Sequence, residues 1–179
     1  MISGIFEMPI TDESYPFSSA ERYCHLSAKD YVEREYRVDG TANVYRTADE
    51  DGGVEVMTAD APYSNRIVVR APKNPAQASG NVVVEIINPT SFMEIERMWI
   101  LGHGEFVRSG DIYVGITSKP NTIAKLKEFN PDRYAFMSWA NPTPERPFNF
   151  DPVDLERGGG LVLGHADRPC VALARRLRP

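Results

Sequence analysis

The sequence has little of what a disulfide scaffold or a metal site requires. It contains two cysteines, Cys24 and Cys170, and three histidines in 179 residues. Neither their number nor their spacing fits a disulfide framework, a zinc knuckle or a metal-binding histidine pair. We therefore expect two independent cysteine side chains, no bound metal and no cofactor.

Long apolar runs and an excess of basic residues are also missing. No stretch approaches the roughly 18 apolar residues of a membrane helix, and the first residues lack the pattern of a secretory signal. The formal net charge of −5 disfavours a surface for nucleic acid or anionic membranes. The expectation is a cytoplasmic protein that binds neither nucleic acid nor membranes.

Branched apolar residues, by contrast, are clustered as in a sheet protein of one domain. Such runs predict strands at residues 67–69, 82–87 and 112–116, and residues 40–46 predict a weaker strand. The run at 82–87 is almost continuously apolar, as expected for a parallel strand that helices cover on both faces.

A helix is predicted between the two best strands. Ser91 followed by Glu94 fits a capping box, apolar residues follow at helical spacing, and Gly110 stands where a left-handed C-terminal residue belongs. The order strand, helix, strand predicts a βαβ unit with a parallel pair. Residues 118–152 are rich in proline and asparagine, so we expect a long irregular segment with a short helix allowed at 122–129.

Ordered sequence blocks around these elements resemble a known family. They lie at residues 40–42, 61–72, 80–85, 108–120, 126–134 and 138–142. One block reads Ala61-Pro62-Tyr63-Ser64-Asn65-Arg66, and another reads Asp111-Ile112-Tyr113-Val114-Gly115. Together, over about residues 5–145, they resemble the opening of the bacterial α/β-hydrolase-domain proteins of poorly defined substrate.

The resemblance implies a fold of the α/β class. The expected architecture is an incomplete α/β-hydrolase fold, with a mixed, mostly parallel sheet and flanking helices. Residues 82–87 would be its third strand, residues 92–109 its first major helix and residues 111–117 the next strand. In this scheme residues 1–153 form the amino-terminal part of the domain.

The same resemblance points to two candidate sites. The loop after the third strand usually supplies a backbone N–H to the oxyanion hole of such enzymes, and Asn88, Thr90 and Ser91 occupy that loop here. Because Pro89 has no N–H, the donor would come from Thr90 or a neighbour; a plain turn followed by a helix cap remains the alternative. Lys119 and Asn121 follow the carboxyl end of the next strand, where open α/β sheets bind ligands.

The catalytic residues themselves are not found. No serine lies in a G-x-S-x-G turn, and His25 and His103 are expected to be packing or surface residues. The resemblance implies a hydrolase of carboxylic esters with a small ester as substrate, but this chain is expected to stop before the nucleophile and to be inactive alone. The alternative is a non-catalytic module that pairs with a separate chain through an open sheet edge at residues 111–117.

Residues 154–179 form an atypical tail. All five of its basic residues are arginine, and Gly158-Gly159-Gly160 opens a stretch without clean periodicity. If the possible codons of residues 163–169 are read one base later, they allow a different amino-acid sequence. That sequence resembles the helix that precedes the nucleophile strand in this family. A shift of reading frame near residue 155 and a natural divergent tail both stay open.

Three carboxylates form a further hypothesis, that of an unrelated enzyme. Glu94 is better explained as a helix cap and Glu96 as a solvated helix residue. Glu85, inside an apolar strand, needs a partner, and we expect a structural ion pair with Arg66, Arg70 or Arg133. The segment Arg133-Tyr134 and Trp139 are expected to pin the irregular segment to the sheet or to form part of a lid.

Overall fold

The computed structural model describes residues 1–15, 24–48, 53–89 and 93–138. Thr90, Ser91, Trp139 and the atypical tail at 154–179 lie outside these ranges. The strands and helices, in chain order, are β1 (Ile2–Met8), β2 (Tyr31–Thr47), β3 (Val54–Pro72), β4 (Val82–Ile86), α1 (Arg97–Ser109), β5 (Ile112–Ile116), α2 (Pro120–Phe129) and α3 (Pro131–Tyr134). None of the helices described is long and apolar enough to cross a membrane.

The five strands form one mixed sheet in the order β1-β2-β3-β5-β4. β4 and β5 are parallel and joined by α1, which confirms the predicted βαβ unit. The other three pairings, β1 with β2, β2 with β3 and β3 with β5, are antiparallel. The expectation of a mostly parallel sheet therefore holds only for the βαβ unit, because β2 and β3 are consecutive and pair as a hairpin, which requires an antiparallel arrangement.

This hairpin is much longer than the sequence predicted. β2 has 17 residues and β3 has 19, whereas only residues 40–46 and 67–69 were expected to be extended. The missed parts contain charged residues, which are depleted in strands. Since β1 and β5 pair with residues 35–40 and 67–70 of the hairpin, its far end continues as a two-stranded ribbon.

The position of the open edge also differs from the expectation. β5 lies between β3 and β4, so it is an internal strand rather than an edge. The strand at the end of the described sheet is β4, which pairs with β5 on its other side. An open edge at residues 111–117 is therefore wrong, because the antiparallel pairing of β3 with β5 fills that position.

The helix α1 ends as predicted but begins later. Gly110 has a φ of 76° and closes the helix, and a Cβ at this position would collide with the carbonyl oxygen of Gln77. The helix begins at Arg97 rather than at residue 92. Its Trp99 is fully buried against Tyr113 of β5, with the ring centroids 5.2 Å apart, so the side of α1 that carries Trp99 covers the sheet.

The segment after β5 is more regular than its composition suggested. α2 spans Pro120–Phe129, which confirms the short helix allowed at residues 122–129. The side chain of Asn130 then accepts a hydrogen bond from the N–H of Arg133 and starts α3. Both helices begin with proline at the first or second position, where the missing N–H costs nothing.

Candidate functional site

The candidate site lies at the carboxyl ends of the parallel strands β4 and β5. The Ser118 hydroxyl donates to the carbonyl of Ile87 at 2.7 Å, and the N–H of Ile87 donates to the carbonyl of Ile116 at 2.9 Å. These bonds extend the contact between the two strands into their loops. They place the loop that starts at Asn88 beside the segment that starts at Ser118.

The loop that begins at Asn88 and the predicted residue Asn121 meet at this point. The side-chain amide of Asn121 donates to the carbonyl of Pro89 at 3.3 Å. Its carbonyl oxygen accepts from the N–H of Thr122 at 3.0 Å, at the start of α2. Asn121 therefore ties the loop after β4 to the segment after β5, as expected of residues at one sheet edge.

The backbone of Asn88 is already engaged. Its N–H donates to the carbonyl of Ile95 at 3.2 Å, and its own carbonyl accepts from the N–H of Ile95 at 3.0 Å. This small antiparallel bridge closes the loop between them. The N–H of Asn88 is thus not directed at a ligand, and the candidates Thr90 and Ser91 lie outside the described residues.

Lys119 adopts an unusual backbone conformation. Its φ of 71° and ψ of 143° lie in a region that is populated almost only by glycine. The residue is exposed and immediately precedes Pro120. The side chain of Lys119 is therefore a solvated cation next to the loop that Asn121 holds.

Beneath this edge lies a buried network of charges that the sequence did not predict. Arg66 of β3 is ion-paired with Glu35 of β2 and with Glu94, and all three side chains are almost inaccessible to solvent. The hydroxyl of Thr117 also donates to Glu94, at 2.6 Å. The assignment of Glu94 as a helix cap is therefore wrong, because the buried guanidinium is a stronger partner than the backbone N–H groups of a solvent-exposed helix start.

A second buried arginine stands four residues further along β3. Arg70 donates to Glu33 and to Glu96, each at 2.7 Å, and its guanidinium stacks over Trp99 at 4.5 Å from the ring centroid. Glu96 is completely buried, so the expectation of a solvated helix residue is also wrong. The residues before α1 turn toward the sheet because two buried arginines there require counter-charges.

Glu85 has partners of a different kind from those expected. It accepts a hydrogen bond from the hydroxyl of Tyr113 at 2.6 Å and from the N–H of Met98 at 3.1 Å. The expected ion pair with an arginine is replaced by these two neutral donors. Through Met98, Glu85 satisfies one of the open N–H groups at the start of α1, which is the role assigned to Ser91 and Glu94 from the sequence.

The segment Arg133-Tyr134 pins α3 to the sheet, which is one of the two roles predicted for it. Arg133 donates to Glu35 and, at 2.7 Å, to the carbonyl of Pro9. The buried hydroxyl of Tyr134 donates to Glu35 at 3.0 Å and accepts from the N–H of Tyr15 at 2.6 Å. Glu35 thus joins β2, β3 and α3.

The two carboxylates bound to Arg66 differ in their proton affinity. Burial by itself would raise the pKa of Glu35, but Arg66 and Arg133 outweigh it and hold that pKa below its ordinary value. Burial raises the pKa of Glu94, and the opposing effects of Arg66 and Thr117 do not cancel it. Glu35 is therefore firmly ionised, and of these two carboxylates Glu94 binds a proton more readily.

The histidines contribute no catalytic geometry in the part of the chain described. His103 lies on α1, and its Nδ1 is 3.1 Å from the carbonyl of Trp99, one turn earlier in the helix. His25 is exposed next to a short 3₁₀ turn. The described residues also hold no group of three or more His, Cys, Asp and Glu side chains that could bind a metal ion.

One feature of the sequence could have revealed the buried network. Arg66 and Arg70 flank the apolar run Ile67-Val68-Val69 at a spacing of four, so a strand places both on one face. Glu33 and Glu35 have the same alternation in the neighbouring strand. The partners from residues 94–96 could not be found in this way, because they come from a loop whose path depends on tertiary contacts.

Comparison with known proteins gives one match. A family model described as an alpha/beta hydrolase domain matches residues 6–155. No curated protein and no solved structure matches the chain. The family match includes every described residue that forms the site and the network beneath it.

Proposed function

The chain belongs to the alpha/beta hydrolase domain family, and from this premise we propose that it carries the oxyanion side of a carboxylic-ester hydrolase without the serine nucleophile. The observation that supports this proposal is the hydrogen bond from Asn121 to the carbonyl of Pro89. It holds the loop after β4 at the sheet edge, next to the segment that contains Lys119. The substrate class is a small ester, and the sheet edge is its binding side.

The loop between Asn88 and Ile95 is the proposed source of the oxyanion donor. The N–H of Asn88 donates to the carbonyl of Ile95, and Pro89 has no N–H. We therefore assign the donor to the backbone of Thr90 or Ser91. A donor N–H must be held in place before charge develops on the substrate. The bridge at Ile95 and the ion pair of Glu94 fix the far side of this loop, which supports the assignment.

A shift of the reading frame would explain why this sequence has no serine nucleophile. None of the serines in the 179 residues stands in a G-x-S-x-G turn, and we propose that the reading frame shifts near residue 155. The end of the family match at residue 155 supports this position. Sequencing the gene downstream tests it: a continuation in the shifted frame that encodes G-x-S-x-G is expected, and its absence would remove the frame shift from the proposal.

Without a nucleophile the chain should not turn over esters. Purified protein mixed with p-nitrophenyl acetate is expected to release nitrophenol no faster than the same concentration of an unrelated protein of similar lysine content. Removal of a triad leaves only the weak catalysis of binding and oxyanion donors. Turnover that a serine-directed inhibitor abolishes would contradict the proposal.

A second candidate function is favoured by the edge of the described sheet at β4, where β5 is the only neighbour among the described residues. In this account the chain is a non-catalytic interaction module that pairs with a separate chain through that edge. An exposed strand without a neighbour is a template for association. Co-expression with a chain that carries G-x-S-x-G, followed by purification through a tag on one of them, should recover both; recovery of the tagged chain alone would count against this candidate.

A further inference from the structure

We infer that residues 9–15 and the loop that ends at Ile95 open and close as one cooperative unit, joined through the guanidinium of Arg66. The inference goes beyond the proposed function, since it concerns what holds the loop in place, whether or not that loop carries an oxyanion donor. Binding that displaces residues 9–15 would then also release the loop, which gives the loop a control point in a different part of the chain.

Arg66 divides its hydrogen bonds among three parts of the fold. Its Nε donates to Glu35 of β2, its Nη1 donates to Glu94 in the loop, and its Nη2 donates to the carbonyl of Tyr15 at 3.2 Å. The Arg66 side chain is 1% exposed. A guanidinium is a planar fork, so its three nitrogens keep fixed directions relative to one another. A shift of one acceptor therefore disturbs the hydrogen bonds to the other two.

Residues 9–15 are held at their two ends. They leave the sheet after β1, and most of their side chains are exposed. Arg133 of α3 donates to the carbonyl of Pro9 at 2.7 Å, and the N–H of Tyr15 donates to the Tyr134 hydroxyl at 2.6 Å. Both backbone groups of Tyr15, its N–H and its carbonyl, are therefore bound to side chains of the buried network. A mostly exposed segment of this kind can open without unfolding the sheet.

The loop is held by the same network from the other side. Glu94 is 1% exposed, so its carboxylate depends on polar partners. The next residue, Ile95, forms the two-bond bridge with Asn88. A buried carboxylate that loses its guanidinium is strongly destabilised. Movement of Arg66 when residues 9–15 leave therefore weakens the hold on Glu94 and on the adjoining bridge.

Hydrogen exchange of backbone N–H groups in the full chain tests the coupling, because it reports the opening of the structure residue by residue. Tyr134→Phe removes the acceptor of the Tyr15 N–H and keeps the aromatic ring. Exchange at Asn88 and Ile95 should become about fivefold faster or more, measured relative to Val114. Val114 pairs with strands on both sides and so reports the opening of the sheet itself.

Tyr31→Phe is the matched control. The Tyr31 side chain is also buried, and its hydroxyl donates to the carbonyls of Phe106 and Asp111. Asp111 precedes β5, whereas the loop lies at the carboxyl ends of the parallel strands. The control should therefore leave the exchange of the loop unchanged relative to the sheet.

The reverse perturbation starts from the loop. Glu94→Gln removes the charge that faces Arg66, and it should speed exchange at Tyr15 by a factor similar to that at Ile95, since one unit has one opening equilibrium. Exchange of the wild-type chain at low urea needs no variant, and Tyr15 and Ile95 should show the same dependence on urea.

Three results would overturn the inference. The first is a Tyr134→Phe variant in which exchange speeds up at Tyr15 but changes in the loop no more than at Val114. The second is an equal effect of Tyr31→Phe on the loop. The third is a wild-type chain in which Tyr15 and Ile95 depend differently on urea. Each of these results leaves the proposed function untouched, because ester turnover is not part of the measurement.

Discussion

Replacing Arg66 by methionine should cost the protein a large part of its stability. The Arg66 side chain is 1% exposed and is paired with Glu35 and Glu94, so methionine fills much of its volume but leaves both carboxylates without their shared cation. Glu35 keeps Arg133 and Tyr134 as donors, whereas Glu94 keeps the hydroxyl of Thr117. The penalty therefore falls on Glu94, which is 1% exposed.

The size of the loss follows from the burial of the ion pair between Arg66 and Glu94. Removal of one member of a buried ion pair costs about 3–5 kcal/mol, which is a large fraction of the roughly 5–15 kcal/mol that stabilises a typical domain. Urea unfolding followed by tryptophan fluorescence, to which the buried Trp99 contributes, measures this loss. The double variant Arg66→Met with Glu94→Gln should recover part of it, since a neutral amide then replaces the buried carboxylate that has lost its guanidinium.

The pH dependence gives the refuting result. The pKa of Glu94 is already raised by burial, and without Arg66 it should rise further. A group whose pKa is raised in the folded state stabilises at low pH and loses that contribution as the pH rises through its folded-state pKa. The deficit of Arg66→Met should therefore shrink on acidification. A loss below about 1 kcal/mol at neutral pH, as for an exposed pair, would refute the assignment of a buried, energetically coupled network.

Three further substitutions test other parts of the structure. Glu35→Gln should lower the stability at neutral pH and make the loss of stability in acid less steep. The pKa of Glu35 is held below its ordinary value, so the stabilisation by this carboxylate is lost as the pH falls through that lowered pKa. Denaturant midpoints measured between neutral and acid pH test this, and the same pH slope in the variant and the wild type would contradict it. Gly110→Ala should cost about 1–3 kcal/mol, since φ is 76° there and a Cβ meets the Gln77 carbonyl; Gly104→Ala, where a Cβ has open space, is the control and should not share the loss. Tyr113→Phe should cost about 1–3 kcal/mol by leaving buried Glu85 without its hydroxyl donor, and a neutral result in thermal unfolding would show that this hydrogen bond contributes little.

Local signals in the sequence were sufficient for the βαβ unit. The run at residues 82–87, the apolar spacing through Trp99 and Phe106, and Gly110 all act within one turn or one strand. Their preferences agree with the fold, so β4, α1 and β5 appear where the sequence predicts them. The edge that holds Asn88 and Asn121 follows from the same unit, because parallel strands end on one side.

The remaining structure depends on contacts between distant residues. Ser91 and Glu94 have the spacing of a capping box, but Glu94 is drawn to Arg66, 28 residues earlier. Glu85 instead reaches the open N–H of Met98, 13 residues later. No local rule distinguishes a carboxylate that caps a helix from one that neutralises a buried arginine. The same reason hides the full length of β2 and β3, whose charged residues look exposed until their partners are known.

The buried network bears directly on the proposed chemistry. The loop between Asn88 and Ile95 is closed by a two-bond bridge, and Glu94 next to that bridge is held by Arg66 and Thr117. These contacts fix both ends of the segment to which the oxyanion donor is assigned, and a donor is effective only when its position does not change as charge develops. The ion pair of Arg66 with Glu94 would therefore serve the proposed donor by holding the described end of this loop in place.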